Sequence, residues 1–175
     1  MSGISRIAAL WVLVVCTFTP RLHAQGPRTI FLVRHADKVS EATDALLSEE
    51  GHRRANCLAN TLRDANIGRI YTSDLHRTQQ TAAPLAERLH LNPVSIPLSK
   101  PDELIAALRS DETPIVLVVW HGGTLPDVLR ALGAPQVAPI ENAEYDRFFM
   151  LTFDGNKKHA NARLTVLRYC DCAKN

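Results

Sequence analysis

Two short apolar runs, each followed directly by basic or imidazole side chains, constrain the fold most strongly. Residues 30–33 lead into Arg34 and His35, and residues 115–120 lead into His121. Continuous apolar runs of this length are typical of buried strands. The loop after such a strand is where α/β proteins place their functional residues. The two runs therefore predict an α/β fold whose chemistry lies at the ends of its strands.

A pass along the chain predicts alternating strands and helices. Ser and Asp side chains accept hydrogen bonds from the first turn of a helix, which makes Ser48, either Ser73 or Asp74, and Asp102 the predicted N-caps. The alternation predicts a three-layer α/β/α fold with a mostly parallel central sheet and helices on both faces. The predicted strands cover about residues 29–33, 69–72, 93–96, 115–120, 148–153 and 163–167, and the helices about residues 48–65, 74–89, 102–109 and 125–132.

The first 24 residues have the pattern of a secretory signal peptide. Arg6 precedes an apolar stretch over residues 7–18, and an alanine-ended cleavage site follows at Ala24. The stretch is too short to predict a good membrane span; an uncleaved N-terminal anchor is the alternative. We expect an exported protein, periplasmic or secreted, with a signal peptide over residues 1–24 and a single domain over residues 25–175.

The charge composition argues against a nucleic-acid partner. Cleavage after residue 24 would remove two basic residues, Arg6 and Arg21, and no acidic ones, which leaves 18 residues of each sign. The chain has no basic run, and aromatic residues make up only 6% of it. The usual footprint of nucleic-acid binding is therefore missing from the sequence.

Three cysteines would remain after cleavage: Cys57 on a predicted helix, and Cys170 and Cys172 in the tail. Export favours disulfides, and a bridge from Cys57 to either tail cysteine would pin the C-terminus to the domain. The alternative, which the sequence supports equally, is that these cysteines are free thiols. Cys170 and Cys172 have the close spacing of a zinc-binding pair. The sequence lacks a second cysteine pair, so no metal site is predicted.

Two arginines and two histidines follow the ends of predicted strands. Besides Arg34, His35 and His121, the segment over residues 73–82 contributes Arg77. Arginine binds phosphate oxygens through paired hydrogen bonds, and histidine acts as a nucleophile in several enzyme classes. Convergence of the four side chains on one point would make a phosphate site.

These segments resemble the motifs of the histidine phosphatase superfamily, the phosphoglycerate-mutase-like fold. Ala36 replaces the glycine of the family's first motif, which is a mild departure. The larger acid phosphatase and phytase branch carries Asp after its second histidine, and Gly122 in that place disfavours that branch. Residues 47–55 are also similar to the start of the family's first helix. The three motifs correspond here to Arg34-His35-Ala36, to residues 73–82 with Arg77, and to His121-Gly122.

The resemblance implies a phosphoric monoester hydrolase that needs no metal ion or other cofactor. By analogy with the family, His35 is the residue that becomes phosphorylated. Arg34, Arg77 and His121 are the implied phosphate-binding residues. His121, as a cation or a hydrogen-bond donor, would also serve catalysis by stabilising charge on the equatorial oxygens.

The spacing of the motifs bears on the substrate. Only 44 positions separate Arg77 from His121, which leaves little room for a lid domain and predicts an open site. An open site suits a phosphorylated small molecule or a glycolipid. Export then points to periplasmic or envelope phosphoesters, such as a sugar phosphate or a lipopolysaccharide phosphate. A protein phosphohistidine phosphatase and a non-catalytic phospho-ligand binding module are the alternatives.

The resemblance also implies a carboxylic acid, between the second arginine and the second histidine, that protonates the leaving group. Asp102 and Glu103 lie in that segment, and Glu103 is the predicted acid because Asp102 fits a helix cap. Asp37, two residues after His35, is the remaining candidate. Lys38 is either a contact for a second anionic group of the substrate or a solvated loop residue.

Overall fold

The computed structural model describes residues 27–154 and 162–170. The predicted signal peptide and Cys172 lie outside the described residues, and the domain boundaries stay a prediction. Within the described ranges, no helix has both the length and the apolar character that crossing a membrane requires.

Strands and helices alternate along the described chain as predicted. The fourth strand has the predicted bounds, and the other elements begin or end within a few residues of theirs. In chain order the elements are β1 (Arg28–Arg34), α1 (Glu49–Thr61), β2 (Arg69–Ser73), α2 (His76–Leu89), β3 (Val94–Ile96), α3 (Pro101–Ser110), β4 (Ile115–Trp120), α4 (Leu125–Ala131), β5 (Arg147–Phe153) and β6 (Arg163–Arg168).

The described strands form one sheet in the order β3-β2-β4-β1-β5-β6. The first four of these strands run parallel, whereas β5 is antiparallel to β1 and β6 is antiparallel to β5. The mostly parallel sheet is therefore confirmed, and the two late strands make it mixed. Arg34 lies opposite Trp120 in the register, and the His35 N–H donates to the Trp120 carbonyl at 2.8 Å. The ends of β1 and β4 thus place His35 beside His121.

Helices cover both faces of the sheet, because successive side chains of a strand point to opposite sides. Leu32 of β1 faces a core shared with α3 and α4. Val33, the next residue, faces a second core shared with α1 and α2. The three-layer arrangement is confirmed. The fully buried leucines that the helices contribute include Leu58, Leu85, Leu104, Leu108, Leu125 and Leu129.

The predicted N-cap is confirmed for α1 and wrong for α3. Ser48 caps α1 as predicted, since its Oγ accepts the Gly51 N–H at 3.1 Å. The cap predicted for α3 is wrong: Lys100 is the N-cap, Pro101 begins the helix, and Asp102 lies in its first turn. The backbone angle of proline is preset for the first helical position, so α3 starts one residue before the aspartate.

The N-cap predicted for α2 is also wrong. α2 begins at His76 with Leu75 as the N-cap, and Leu75 makes no side-chain cap bond. β2 continues through Ser73, whose Oγ accepts the Leu75 N–H at 3.2 Å. The Asp74 carboxylate accepts a backbone N–H from the loop after β3 at 2.8 Å. The first N–H of α2 instead donates to Asp44 Oδ1, at 2.8 Å, from a loop distant in sequence.

A disulfide joins Cys57 of α1 to Cys170, with the Cα atoms 6.0 Å apart and a sequence separation of 113. Of the alternatives that the sequence left open, the structure therefore has the bridge to Cys170. Arg54 of α1 adds a second link, because its Nη1 donates to the Cys170 carbonyl at 2.9 Å. Both links fasten the tail to α1.

Candidate active site

The two histidines predicted for the site lie together at the carboxyl ends of β1 and β4. The ring centroids of His35 and His121 are 5.4 Å apart. Both residues are buried, with exposed fractions of 4% and 7%. Arg34, at the end of β1, and Arg77, in the first turn of α2, lie beside them. The structure therefore brings all four residues of the predicted phosphate site to one place.

A single hydrogen bond orients His35. Its Nδ1 lies 2.8 Å from the Ala36 carbonyl oxygen. A carbonyl only accepts, so Nδ1 carries the proton and Nε2 keeps its lone pair. Burial lowers the pKa of His35 to about 4, opposed by the bond to Ala36 and assisted by the nearby Arg34 and Arg77 charges. At neutral pH the ring is uncharged, as a nucleophile requires.

Two contacts orient His121. Arg77 Nη2 lies 3.1 Å from its Nδ1, and Ser73 Oγ lies 2.8 Å from its Nε2. Since arginine has no acceptor, Nδ1 accepts from Arg77 and Nε2 donates to Ser73. Burial first, and then the charge of Arg77, lower the pKa of His121 to about 3. The sequence allowed a cation or a donor here, and the structure has a neutral ring that donates to Ser73.

Arg34 is clamped by the loop that precedes β5. Its Nη1 donates to three backbone carbonyls, those of Glu141 at 2.9 Å, Asn142 at 2.9 Å and Glu144 at 3.2 Å. The Arg34 Cζ atom lies 4.1 Å from the centroid of the Tyr145 ring, which is a cation–π contact. The buried Nε has no hydrogen-bond partner within the described part of the chain.

Arg77 reaches the site from α2. Its Nη1 donates to the Thr43 carbonyl and its Nη2 to His121. Like the Nε of Arg34, its own Nε is buried without a partner among the described residues. A buried donor without an acceptor is costly. Two such guanidinium donors beside a pair of histidines fit an oxyanion such as phosphate.

Position 122 favours glycine because Arg34 lies close to the backbone there. A Cβ atom added at Gly122 would lie 3.1 Å from Arg34 Cδ and 3.2 Å from its Nε. Those distances are tighter than ordinary van der Waals contact, so a side chain at this position would push the guanidinium away. In the pair His121-Gly122, the histidine therefore enters the site and the glycine leaves room for Arg34 at the end of β1.

Ala36, the departure from the family's first motif, lies in an apolar niche. It is fully buried and clusters with Leu47 and Ala55. Its backbone N–H donates to Thr81 Oγ1 at 2.9 Å, and Thr81 Oγ1 donates to the Arg77 carbonyl at 2.6 Å. The methyl group is accommodated, and α2 supports the loop that carries His35.

Two of the candidate acids, Glu103 and Asp37, make contacts with residues other than the four of the predicted phosphate site. Glu103 is 55% exposed and pairs with Lys100 at 2.6 Å, and Asp102 is also exposed. Asp37 Oδ2 accepts from the Arg54 Nε at 2.6 Å. Among the described residues, none of these carboxylates hydrogen-bonds to His35. The assignment of Glu103 as the acid stays a prediction.

Lys38 is partly buried and pairs with an exposed glutamate. Its side chain is 16% exposed, and its ammonium pairs with Glu41, which is 93% exposed, at 2.6 Å. Burial is the main cause that lowers the pKa of His35, and Lys38 is a smaller one. Both interpretations of Lys38, a contact for a second anionic group of the substrate and a solvated loop residue, stay predictions.

Tyr145 was missed by sequence reasoning. Its ring centroid lies 6.0 Å from that of His35. It belongs to the loop before β5, which has neither periodicity nor a recognised motif, so no signal in the sequence pointed to it. In residues 27–154 and 162–170, no three His, Cys, Asp or Glu side chains are arranged to hold a metal ion.

Comparison with known sequences identifies part of the chain. The model of the histidine phosphatase superfamily (branch 1) matches residues 30–104. The probable phosphoglycerate mutase GpmB of Yersinia enterocolitica is 40% identical over 75 residues, which cover 39% of this chain and 35% of that protein. The GpmB of Yersinia pestis is 36% identical over 75 residues, with the same coverage. The chain thus spans about a third of the length of these relatives.

Solved structures share the fold over more of the chain. Mycobacterial glucosyl-3-phosphoglycerate phosphatase has a TM-score of 0.64 and 19% identity, covering 81% of this chain and 99% of that one. The protein histidine phosphatase SixA, complexed with tungstate, has a TM-score of 0.64 and 21% identity, covering 82% and 99%. These structures show the common fold, and the sequence match covers Arg34, His35 and Arg77. Over residues 30–104 the chain is thus similar in sequence to the histidine phosphatase superfamily, and its fold is that of the solved phosphatases.

Proposed function

We propose that this protein is a metal-independent phosphomonoester hydrolase that works through a phosphohistidine on His35. One observation carries the proposal. The bond from Nδ1 to the Ala36 carbonyl leaves the Nε2 lone pair of His35 free, beside buried donors of Arg34 and Arg77 that lack acceptors. A neutral nucleophile next to unsatisfied cationic donors is the combination that phosphoryl transfer requires.

The reaction has two steps. Nε2 of His35 attacks phosphorus, and the P–O bond to the leaving group breaks as that oxygen takes the bonding electrons and a proton. Water then attacks the phosphohistidine, the P–N bond breaks, and Nε2 recovers its lone pair. The water proton returns to the group that gave the first one. The products are an alcohol and inorganic phosphate.

The cationic side chains stabilise the charge on the equatorial oxygens. Arg34 and Arg77 supply guanidinium donors that are fixed before the substrate arrives, which is where electrostatic catalysis is strongest. A phosphate dianion replaces His121 as the acceptor for the Arg77 Nη2. The negative charge then raises the pKa of His121 from its low value, and a proton on Nδ1 makes the ring a third donor.

Replacement of the nucleophile tests this proposal. The wild-type protein, assayed with glycerol phosphate and with an aryl phosphate, should accumulate an acid-labile, base-stable phosphoenzyme after rapid quenching. His35→Ala should abolish both the phosphoenzyme and the hydrolysis, while circular dichroism shows an intact fold. Normal turnover by a folded His35→Ala variant would refute the role of His35.

A non-catalytic phospho-ligand binding module is the second candidate. It is favoured by the positions of Glu103 and Asp37, whose carboxylates bind Lys100 and Arg54. Such a module would bind inorganic phosphate in calorimetry but form no phosphoenzyme and hydrolyse neither ester. A protein phosphohistidine phosphatase, the activity named for the SixA neighbour, would instead prefer a phosphohistidine protein over both esters.

We also propose that the protein is exported and acts on periplasmic or envelope phosphoesters, such as sugar or lipopolysaccharide phosphates. The disulfide between Cys57 and Cys170 supports an oxidising compartment. N-terminal sequencing of protein from expressing cells should give a chain that begins near Gln25. An intact Met1 in a cytoplasmic fraction would contradict export.

A further inference from the structure

Tyr145 occupies a position that the roles assigned so far do not explain. Its ring centroid is 6.0 Å from that of His35 and 4.1 Å from the Arg34 Cζ atom. The residue before it, Glu144, gives its carbonyl to the Arg34 guanidinium. The loop that clamps the first phosphate arginine therefore also brings an aromatic ring close to the nucleophile.

The hydroxyl of Tyr145 is available to a substrate. The side chain is only partly buried, and the described residues provide no hydrogen bond to its phenol. Burial lowers the pKa of Arg77, whereas Asp44 and, more weakly, Tyr145 raise it. The phenol thus acts on the second phosphate arginine, while its ring packs on the first.

The reaction needs a proton donor at the site. An alkoxide leaving group is too basic to depart without a proton, and a positioned acid supplies it. The carboxylates that the sequence offered make other contacts: Glu103 with Lys100, and Asp37 with Arg54. Tyrosine is among the side chains that act as general acids.

We propose that Tyr145 is a catalytic residue whose hydroxyl protonates the leaving-group oxygen of the phosphomonoester. The inference rests on the proposed hydrolase activity. A phosphoryl group separates a nucleophile from its leaving-group acid, with about 3–3.5 Å of approach on one side and a hydrogen bond of about 2.6–3.2 Å on the other. The ring centroids of His35 and Tyr145 are 6.0 Å apart and the ring planes are inclined at 56°, so the phenol is close enough for a phosphomonoester bound at His35 to reach it.

The proton balance closes over the two steps. In the first, the O–H bond of Tyr145 breaks and its proton goes to the departing oxygen, which leaves a phenolate between the Arg34 and Arg77 charges. In the second, the phenolate takes a proton from the water that attacks the phosphohistidine. The enzyme returns to its starting state, and the arginines stabilise the phenolate in between.

Tyr145→Phe tests the proposal because it removes only the hydroxyl and keeps the ring on Arg34. We expect kcat/KM for glycerol phosphate to fall about 10²–10⁴-fold, the usual worth of a general acid. A 4-nitrophenyl ester expels an acidic phenol, so its kcat/KM should change little. Tyr145→Leu, which also removes the ring, should lower kcat/KM for both substrates.

The controls separate the competing explanations. Tyr71→Phe removes a phenol that donates to Asp111 at 2.8 Å, at the opposite end of β4, and should leave both rates unchanged. Equal losses on both esters in Tyr145→Phe would overturn the proposal, as would a leaving-group-dependent loss in Glu103→Gln instead. A wild-type protein that hydrolyses neither ester would refute the hydrolase itself, and the role of Tyr145 with it.

Discussion

Arg77 donates a hydrogen bond from Nη2 to Nδ1 of His121 across 3.1 Å, and this contact determines where the histidine carries its proton. The proton lies on Nε2, which donates to Ser73 at 2.8 Å. The same Arg77 N–H could donate to a bound phosphate instead of to His121. In the proposed mechanism, a phosphate accepts the Arg77 hydrogen bond in place of His121, and His121 then binds the same phosphate oxygens.

The two buried histidines predict how stability depends on pH. Burial and nearby cations lower the pKa of His35 to about 4 and that of His121 to about 3, whereas an unfolded histidine titrates near about 6.5. Between these values the unfolded chain binds more protons, so stability falls as the pH drops below about 6.5.

The expected cost at pH 5, relative to neutral pH, is about 2 kcal/mol for each of the two histidines. Urea unfolding of the wild type at pH 7.5 and pH 5 measures the total difference. His121→Asn removes one of the two groups and should shrink the difference by about 2 kcal/mol. A difference that stays the same in this variant would contradict the low pKa of His121.

Gly122→Ala is expected to weaken phosphate binding. The added methyl group lies against Arg34 Cδ and Nε, so the guanidinium must move by a few tenths of an ångström. The inhibition constant of inorganic phosphate and the KM for glycerol phosphate should both rise, by about tenfold if roughly 1.4 kcal/mol of binding is lost.

Gly123 provides a matched control for this substitution. A Cβ atom added there meets nothing within 4 Å, so Gly123→Ala should leave the KM and the inhibition constant unchanged. If the two alanine variants behave alike, the close approach of Arg34 to Gly122 does not set the phosphate affinity.

Activity should be indifferent to chelators. In the proposed mechanism, Arg34 and Arg77 stabilise the phosphoryl charge that a metal ion stabilises in other phosphoryl-transfer enzymes. Hydrolysis of glycerol phosphate in the presence of EDTA should equal that of untreated protein. Loss of activity with EDTA, and its recovery with magnesium or zinc, would contradict the metal-independent mechanism.

The disulfide should stabilise the domain without serving the chemistry. Cys57 and Cys170 close a loop with a sequence separation of 113, and removal of a native bridge typically costs about 2–5 kcal/mol. Cys57→Ser should lower the free energy of unfolding, measured by urea denaturation, by that amount. Its kcat/KM should stay near the wild-type value at urea concentrations where the variant is folded. A reductant should have the same effect on the wild type and none on the variant.

Much of the fold and the site was predictable because the signals are local. The runs before His35 and His121 are apolar over consecutive positions, which is how a strand buried on both faces appears in a sequence. Ser48 was recognisable as a cap because its bond to Gly51 spans three residues. Likewise, Arg77 lies in a short block just after β2.

The failures came where a partner lies far away in sequence. Asp44 takes over the role predicted for Ser73 or Asp74 at the start of α2, because a loop 32 residues away lies against the helix. Nothing in the local composition around Asp74 reveals that contact. The Glu103 side chain lies in an exposed ion pair with Lys100, and its role as the acid stays a prediction.

The sequence by itself determined which strands form and which four side chains follow them, since both depend on neighbours along the chain. Only the tertiary structure decided what surrounds those side chains. β5 pairs antiparallel with β1, with Phe148 opposite Val33, and this pairing carries the preceding loop and Tyr145 to Arg34. Contacts of that kind depend on how distant segments pack, and the chain has no local periodicity that encodes them.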